Sequence, residues 1–423
     1  MSRRLLLVTE TCPRPDGGGG AVQLDALIQL RPQGSVSLAL VCPQEQAEDP
    51  WPASASELPR RRFPAPPDKV PGDGARSRPL RAWLHRQRDR QRRRATVPRL
   101  AREIAAFAQE QGAEALFLSL STPTLIDLAL PLASVSQLPL HVVVWDPPGY
   151  KLPRFGFRGA RLQRQLERFY RTLEACAGCA VMTPTTAEEY AQRCGTRCVV
   201  TPPPARWRPA ATAPESTGAS KADPTTDSPL VILFAGSFYA QQEHRAFAEA
   251  LADAGWRIGG RPVLLRLLTD GYDLQLHRPL QVELLGWRSA EETAAALATA
   301  DIAYLPYWTD PRYDEVVRLA FPTKLALYLG AGKPVFFHGP DHASVARFFR
   351  RYRAGVACSS LDSDPIRSAL EELAQPERYA DAVGAAQRAV EEELSFPTLE
   401  GRYRELFGDT PLSAPPRPPQ EAL

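Results

Sequence analysis

The stretch Phe321-Pro322-Thr323-Lys324-Leu325-Ala326-Leu327-Tyr328-Leu329-Gly330-Ala331-Gly332-Lys333-Pro334-Val335 decides how this chain is read. Pro322 disfavours helix for the residue before it, and Thr323 is a good N-cap. From Lys324 onward, Leu325, Tyr328 and Leu329 recur at helical spacing and form one buried stripe. Gly330 and Gly332 end the helix, and Pro334 prevents its return. Val335-Phe336-Phe337 then reads as a short buried strand. The unit is a loop, a helix with an uncovered N-terminus, and a strand behind it. A helix start with Lys324 in its first turn is a ready anion site. Read blandly, the same unit is an ordinary helix and strand with one snorkelling lysine.

Outward from this stretch, 423 residues are too many for one ordinary core, so two domains are expected. Apolar residues make up 44% and charged residues 23%, a globular balance, and the net charge of +3 points to no partner. All but five of the 51 basic residues are arginine, and two of those five lysines, Lys324 and Lys333, flank the predicted helix. No opening stretch has the length and apolarity of a signal peptide. No apolar run approaches the roughly 18 residues of a membrane span, so a soluble, cytoplasmic protein is expected. The seven cysteines, an odd number, suggest reduced thiols. The spacing Cys176-x2-Cys179 and Cys194-x3-Cys198 admits a zinc reading. However, Cys179 and Cys198 each open an apolar strand-like run, so small buried hydrophobes are expected and no metal.

The stretch 321–335 resembles the donor-binding signature of retaining, nucleotide-sugar-dependent glycosyltransferases of the two-Rossmann-domain (GT-B) type, the large family 4. The resemblance implies an α/β chain with two Rossmann-like domains facing across a cleft and a C-terminal helix crossing back to the first. The implied division is 1–205 for the acceptor domain, 206–228 for a linker, 229–395 for the donor domain, 396–410 for the returning helix and 411–423 for a disordered tail. It implies a nucleotide-sugar donor substrate, no cofactor, and Phe321, Pro322, Thr323, Lys324 and Leu325 around the donor diphosphate. The acceptor is a glycan, a lipid-linked molecule or a small molecule.

The rest of the chain supplies the other parts in order. Arg4 to Thr9 is a continuous apolar run, the mark of a strand covered on both faces. Gly17, Gly18, Gly19 and Gly20 follow it, and a glycine-rich turn lets backbone amides approach an anion closely. The run is not GxGxxG, so no dinucleotide site is implied; in the resembled family this loop faces donor or acceptor. The next strand is Val36 to Cys42, and 43–79 reads as a long loop. Arg76 to Arg102 holds one acid, Asp89, and a thin apolar stripe of Leu80, Trp83 and Leu84, a basic amphipathic helix suited to anionic lipid or an acidic acceptor. No nucleic-acid-binding motif accompanies it. Helices 100–111, 122–134, 157–176 and 187–194 alternate with strands at 115–120, 141–146, 179–183 and 197–201. Strand 141–146 ends in Asp146 at its carboxyl edge, where open α/β sheets take ligands. Asp146 is expected to hold the acceptor hydroxyl, or else to cap the Pro147-Pro148-Gly149 turn; His141, at the strand's other end, reads as structural.

Leu230 to Ser237 opens the second domain with a strand and the turn Gly236-Ser237, followed by Tyr239. The family's lysine is absent here, so Arg245 and Arg266 are the candidates beside the diphosphate. Gly286 and Trp287 resemble the turn that meets the base. Ser289-x-x-Glu292 is a capping box. Tyr307 ends the strand before the active-site loop. The family carries two glutamates eight positions apart, and here both positions are leucine, Leu319 and Leu327. Asp314 or Glu315 is the expected replacement carboxylate. The leucines also admit a binding protein that kept the fold and lost the chemistry; a nucleotide-sugar epimerase is a further alternative on the same architecture.

Overall fold

The computed structural model describes residues 3–46, 51–52, 55–66, 68, 79–206, 228–271 and 281–409; of these, 79–94 are described in backbone only. The expected linker, apart from its ends, and the tail 411–423 lie outside the described residues, as do Arg76 to Arg78 and the side chains of Leu80, Trp83 and Leu84.

Two parallel sheets form the two domains. The first runs in the order β3-β2-β1-β4-β5-β6-β7, built from β1 (Leu5–Thr9), β2 (Val36–Pro43), β3 (Arg60–Ala65), β4 (Ala115–Ser119), β5 (Leu140–Val144), β6 (Gly178–Val181) and β7 (Cys198–Val200). The second runs β11-β10-β8-β12-β13-β14, from β8 (Leu230–Ala235), β9 (Arg257–Ile258), β10 (Arg261–Leu268), β11 (Val282–Leu284), β12 (Ile302–Pro306), β13 (Val335–His338) and β14 (Gly355–Cys358). Strand β9 pairs antiparallel with β10, and every other pairing is parallel. In each sheet the order reverses beside the first strand, between β1 and β4 and between β8 and β12. That reversal opens a crevice at the carboxyl ends of the strands.

Central strands such as β1 and β8 are buried at every residue, which explains their uninterrupted apolar sequence. Helix starts follow their caps. Thr122 accepts from the amide of Leu125, Thr183 from that of Thr186, and Ser289 and Glu292 close a reciprocal capping box. The last helix, Phe396–Phe407, returns to the first domain as expected. Its Tyr403, Leu406 and Phe407 join Leu5, Leu7, Phe117 and Val143 in one core. Phe407 lies edge-on to Phe117 at 5.3 Å and to His141 at 5.1 Å.

The loop expected over 43–79 is interrupted by β3, which pairs in parallel with β2 from Leu38–Arg60 to Pro43–Ala65. It is an edge strand, where Pro64 lacks no needed donor and the arginines reach solvent. The basic segment and the helix expected after it are one helix, Pro79–Glu110, that runs through Pro98. Its last part is anchored by buried Leu100, Ile104 and Phe107. Helix Thr323–Gly330 begins one residue earlier than expected, with Pro322 as its N-cap and Thr323 as its first residue.

His141 is 2% exposed and neither ring nitrogen has a hydrogen-bond partner. Burial, aided by Arg3 and Arg197 and opposed by Asp409, lowers its pKa to about 4. The unfolded chain therefore binds this proton first, and stability is lost as the pH falls from about 6.5 toward 4. His141→Leu is expected to narrow the stability gap between pH 7.5 and pH 5, by roughly 2 kcal/mol at one site. Urea unfolding at the two pH values measures it; an unchanged gap contradicts a neutral buried imidazole.

Candidate functional site at the interdomain crevice

The two crevices face each other, and the first residues of two helices meet between them. Gly18 is the N-cap of helix Gly19–Leu30 in the first domain, so the glycine run continues into that helix. A Cβ on Gly19 would collide with Oγ1 of Thr323, the first residue of helix Thr323–Gly330 in the second. A Cβ on Gly20 would meet the Trp145 ring at 2.7 Å. The glycines are thus required by close approach. Two positive helix ends from opposite domains point at one spot.

Lys324 stands beside them. Its Nζ donates to the carbonyl of Ser237 at 2.9 Å and lies 4.0 Å from the Phe234 ring and 4.2 Å from the Tyr239 ring. Desolvation holds its pKa well below the usual lysine value. The lysine therefore sits inside the turn after β8, packed against Gly236, whose φ of +97° only glycine adopts readily. Tyr239 continues into an aromatic group with Trp308 at 4.7 Å, and Trp308 stacks on Tyr313 at 4.8 Å. Tyr307 is buried, and burial with the nearby charge of Asp146 pushes its hydroxyl pKa up. Phe321 packs in the cores of both domains. Leu325 is fully buried beneath the helix, so it supports the site without lining it.

Asp146 lies at the carboxyl edge of the first sheet, with Lys151 Nζ 3.1 Å away. It does not cap the turn after it. That turn is capped from the opposite domain, where Glu315 Oε1 accepts the Gly149 amide at 3.3 Å. Desolvation raises the Glu315 pKa despite that bond and the Tyr150 amide.

Several expected site residues lie elsewhere. Arg266 is engaged by Glu283 at 2.6 Å and Thr299 at 2.8 Å. Arg245 is on the exposed face of helix Gln241–Asp253. Trp287 is 57% exposed past β11, its amide on Asp270 at 2.9 Å, beside Gly286 with φ +71°. Leu319 is buried and Leu327 packs against the second-domain core. Both replacement carboxylates already have partners. Asp314 binds Arg318 at 3.1 Å and His342 at 2.8 Å, and Glu315 is the cap just described. Lys333 is tied to the carbonyls of Ala298 and Ala300. All seven cysteines are free, and no group of three metal-ligating side chains occurs among the described residues. A cavity of about 460 Å³ bounded by Leu30, Arg31, Tyr403 and Asp409 opens at the amino edge of the first sheet, away from the crevice.

Trp145, Tyr150, Lys151, Trp308 and Glu10 are part of the crevice and were not anticipated. Glu10, immediately after a buried first strand, had a positional signal in the strand-end rule.

Hydrogen bonds hold the domains together. Thr183 and Thr186 donate to the Leu319 carbonyl at 3.1 and 2.7 Å. Arg347 pairs with Glu188 at 2.8 Å, both half exposed.

No family model matches this sequence, and no curated protein matches it. Solved structures do. HepE of Anabaena, in complex with UDP and glucose, is 13% identical with a TM-score of 0.63, over 96% of this chain and 100% of that one. Sucrose-phosphate synthase of Thermosynechococcus elongatus is 14% identical with a TM-score of 0.62, over 96% and 100%. The α,α-trehalose 6-phosphate synthase of Burkholderia multivorans is 14% identical with a TM-score of 0.59, over 97% of each chain.

Thr186→Val, which keeps the Thr183 cap, removes the 2.7 Å bond to the buried Leu319 carbonyl and is expected to cost about 1–1.5 kcal/mol. Arg347→Ala, at an exposed pair, is expected to cost at most about 0.5 kcal/mol. Denaturant unfolding ranks the two, and a reversed order contradicts this account of the interface. The chain has the GT-B fold of nucleotide-sugar glycosyltransferases.

Proposed function

We propose that the chain is a glycosyltransferase that moves a sugar from a nucleotide-diphosphate-sugar to an acceptor hydroxyl in the crevice. The observation that carries this reading is the meeting of two helix starts, at Gly19 and Thr323, beside Lys324. Backbone amides and the ammonium there suit a diphosphate, whose charge grows as the sugar–phosphate bond breaks. Fixed donors aimed at that developing charge lower the barrier without a metal. Asp146 orients the acceptor hydroxyl from the facing edge, and the departing diphosphate takes its proton. Transfer with retention follows from the resemblance to family 4. Contact with an anionic membrane through Arg76 to Arg102 extends the reading to lipid-linked acceptors; liposome sedimentation with and without anionic lipid checks it.

Lys324→Ala is expected to lower turnover of the donor by on the order of 10²-fold. Thermal shift against a panel of nucleotide sugars first identifies that donor, and unchanged turnover in the variant contradicts the role. Leu319 and Leu327 favour a second reading, a binding protein with this fold and no chemistry. A donor that raises the melting temperature yet is neither transferred nor hydrolysed would select it.

A further inference from the structure

The carboxyl edge of the first sheet carries a polar group that donor binding leaves unused. Glu10 directly follows β1, Ser119 ends β4 and Ser121 comes two residues later. Strands β1 and β4 are neighbours at the reversal of strand order, so these side chains stand at the mouth of the crevice. Ser119 Oγ lies 3.0 Å from Glu10 Oε2 and 3.1 Å from Thr9 Oγ1, and Ser121 Oγ lies 3.2 Å from Ser119 Oγ. Ser121 also stabilises the charged form of the Glu10 carboxylate. From the short helix Pro148–Lys151 that follows β5, Lys151 contributes a positive charge that reaches Glu10, while binding Asp146 at 3.1 Å.

A half-buried carboxylate held by two serine hydroxyls, a backbone amide and a more distant ammonium is poorly compensated, since these do not replace its lost hydration. Desolvation accordingly outweighs its bonds and raises its pKa. Such a group at a ligand edge marks a binding role more often than a stabilising one. Its chemistry narrows the ligand. Glu10 and Asp146 place two carboxylates against the single ammonium of Lys151, so the spot disfavours a phosphate. Carboxylate and serine oxygens instead accept hydroxyl hydrogens, and the serines also donate.

We propose that Glu10, Ser119 and Ser121 form a subsite of the first domain that holds the hydroxyls of a neutral, polyhydroxylated acceptor, such as a hexose. This rests on the reading of the crevice as a sugar-transfer site, and it adds that the bound end of the acceptor is an uncharged sugar. The structure thereby divides the crevice by charge, with an electropositive half for the donor diphosphate and an electronegative half for the acceptor.

Saturation-transfer NMR tests it on the full chain, with and without UDP. The probes are D-glucose, D-mannose, D-fructose and the 6-phosphate of each. The wild type is expected to bind at least one neutral hexose more tightly than its phosphate. Glu10→Gln is expected to weaken that binding about tenfold or more, the loss of one charged hydrogen bond, and Ser121→Ala, independently, about threefold or more, the loss of a neutral one. Neither variant is expected to alter the melting-temperature shift caused by UDP. Binding of no neutral hexose, unchanged affinity in both variants, or tighter binding of the phosphates overturns the subsite. The UDP shift reports on the donor reading separately. Its absence alongside Glu10-dependent hexose binding would overturn transfer from a nucleotide sugar and leave the subsite standing.

Discussion

Two helices that meet start to start repel, because each presents the equivalent of about half a positive charge. In this protein the contact is close enough that Gly19 admits no side chain against Thr323, and the Lys324 amine stands beside it. Such an arrangement costs free energy unless an anion lies between the ends or the rest of the molecule holds them there. The domains are held by other bonds. Thr183 and Thr186 bind the Leu319 carbonyl, Glu315 caps the turn at Gly149, and the Arg206–Asp25 pair at 2.6 Å ties the linker end to helix Gly19–Leu30. The returning helix Phe396–Phe407 anchors the whole by burying its aromatic face in the first core. Packing elsewhere thus maintains an electrostatically unfavourable junction, the usual condition of a site prepared for a ligand.

The polar groups around the junction divide along the domain boundary. Half-buried Lys324 lies between Phe234 and Tyr239 with the Ser237 carbonyl as its hydrogen-bond partner, so a phosphate oxygen would offset its desolvation. Across the gap Glu10 after β1 and Asp146 and Lys151 after β5 gather at two strand ends. The aromatic rings of Tyr239, Trp308, Tyr313 and Tyr150 lie between these halves. Apolar ring faces beside hydroxyl-binding groups suit a sugar, which presents both kinds of surface.

Much of the fold was legible because parallel strands buried on both faces leave unbroken apolar runs, as β1, β5 and β8 do. Strand β3 escaped because an edge strand obeys a different rule, and arginines with a proline look like loop. The helix at Thr323 was legible from Pro322, the apolar spacing and the two glycines. The residues that surround its start were only partly so. Gly17 to Gly20 announce close approach, whereas the partner that approaches, Thr323, lies three hundred residues away and only the tertiary fold brings it near. Arg266 looked available in sequence, yet the neighbouring strand supplies Glu283 and occupies it. Glu315 looked like a substitute for the missing glutamates, yet the facing domain presents an amide that takes it. In each case local pattern identified the chemistry of the side chain and distant packing decided its partner.

The most direct test of the central claim is calorimetric titration of the full chain with UDP and with other nucleoside diphosphates. The account predicts that one of them binds with a stoichiometry of about one to one, with affinity that weakens as salt screens the two helix ends and Lys324. It also predicts that Gly19→Val, which places a side chain where the helix starts meet, abolishes the binding without unfolding either domain. Absence of binding by every nucleoside diphosphate, or full binding by the folded Gly19→Val variant, would contradict it.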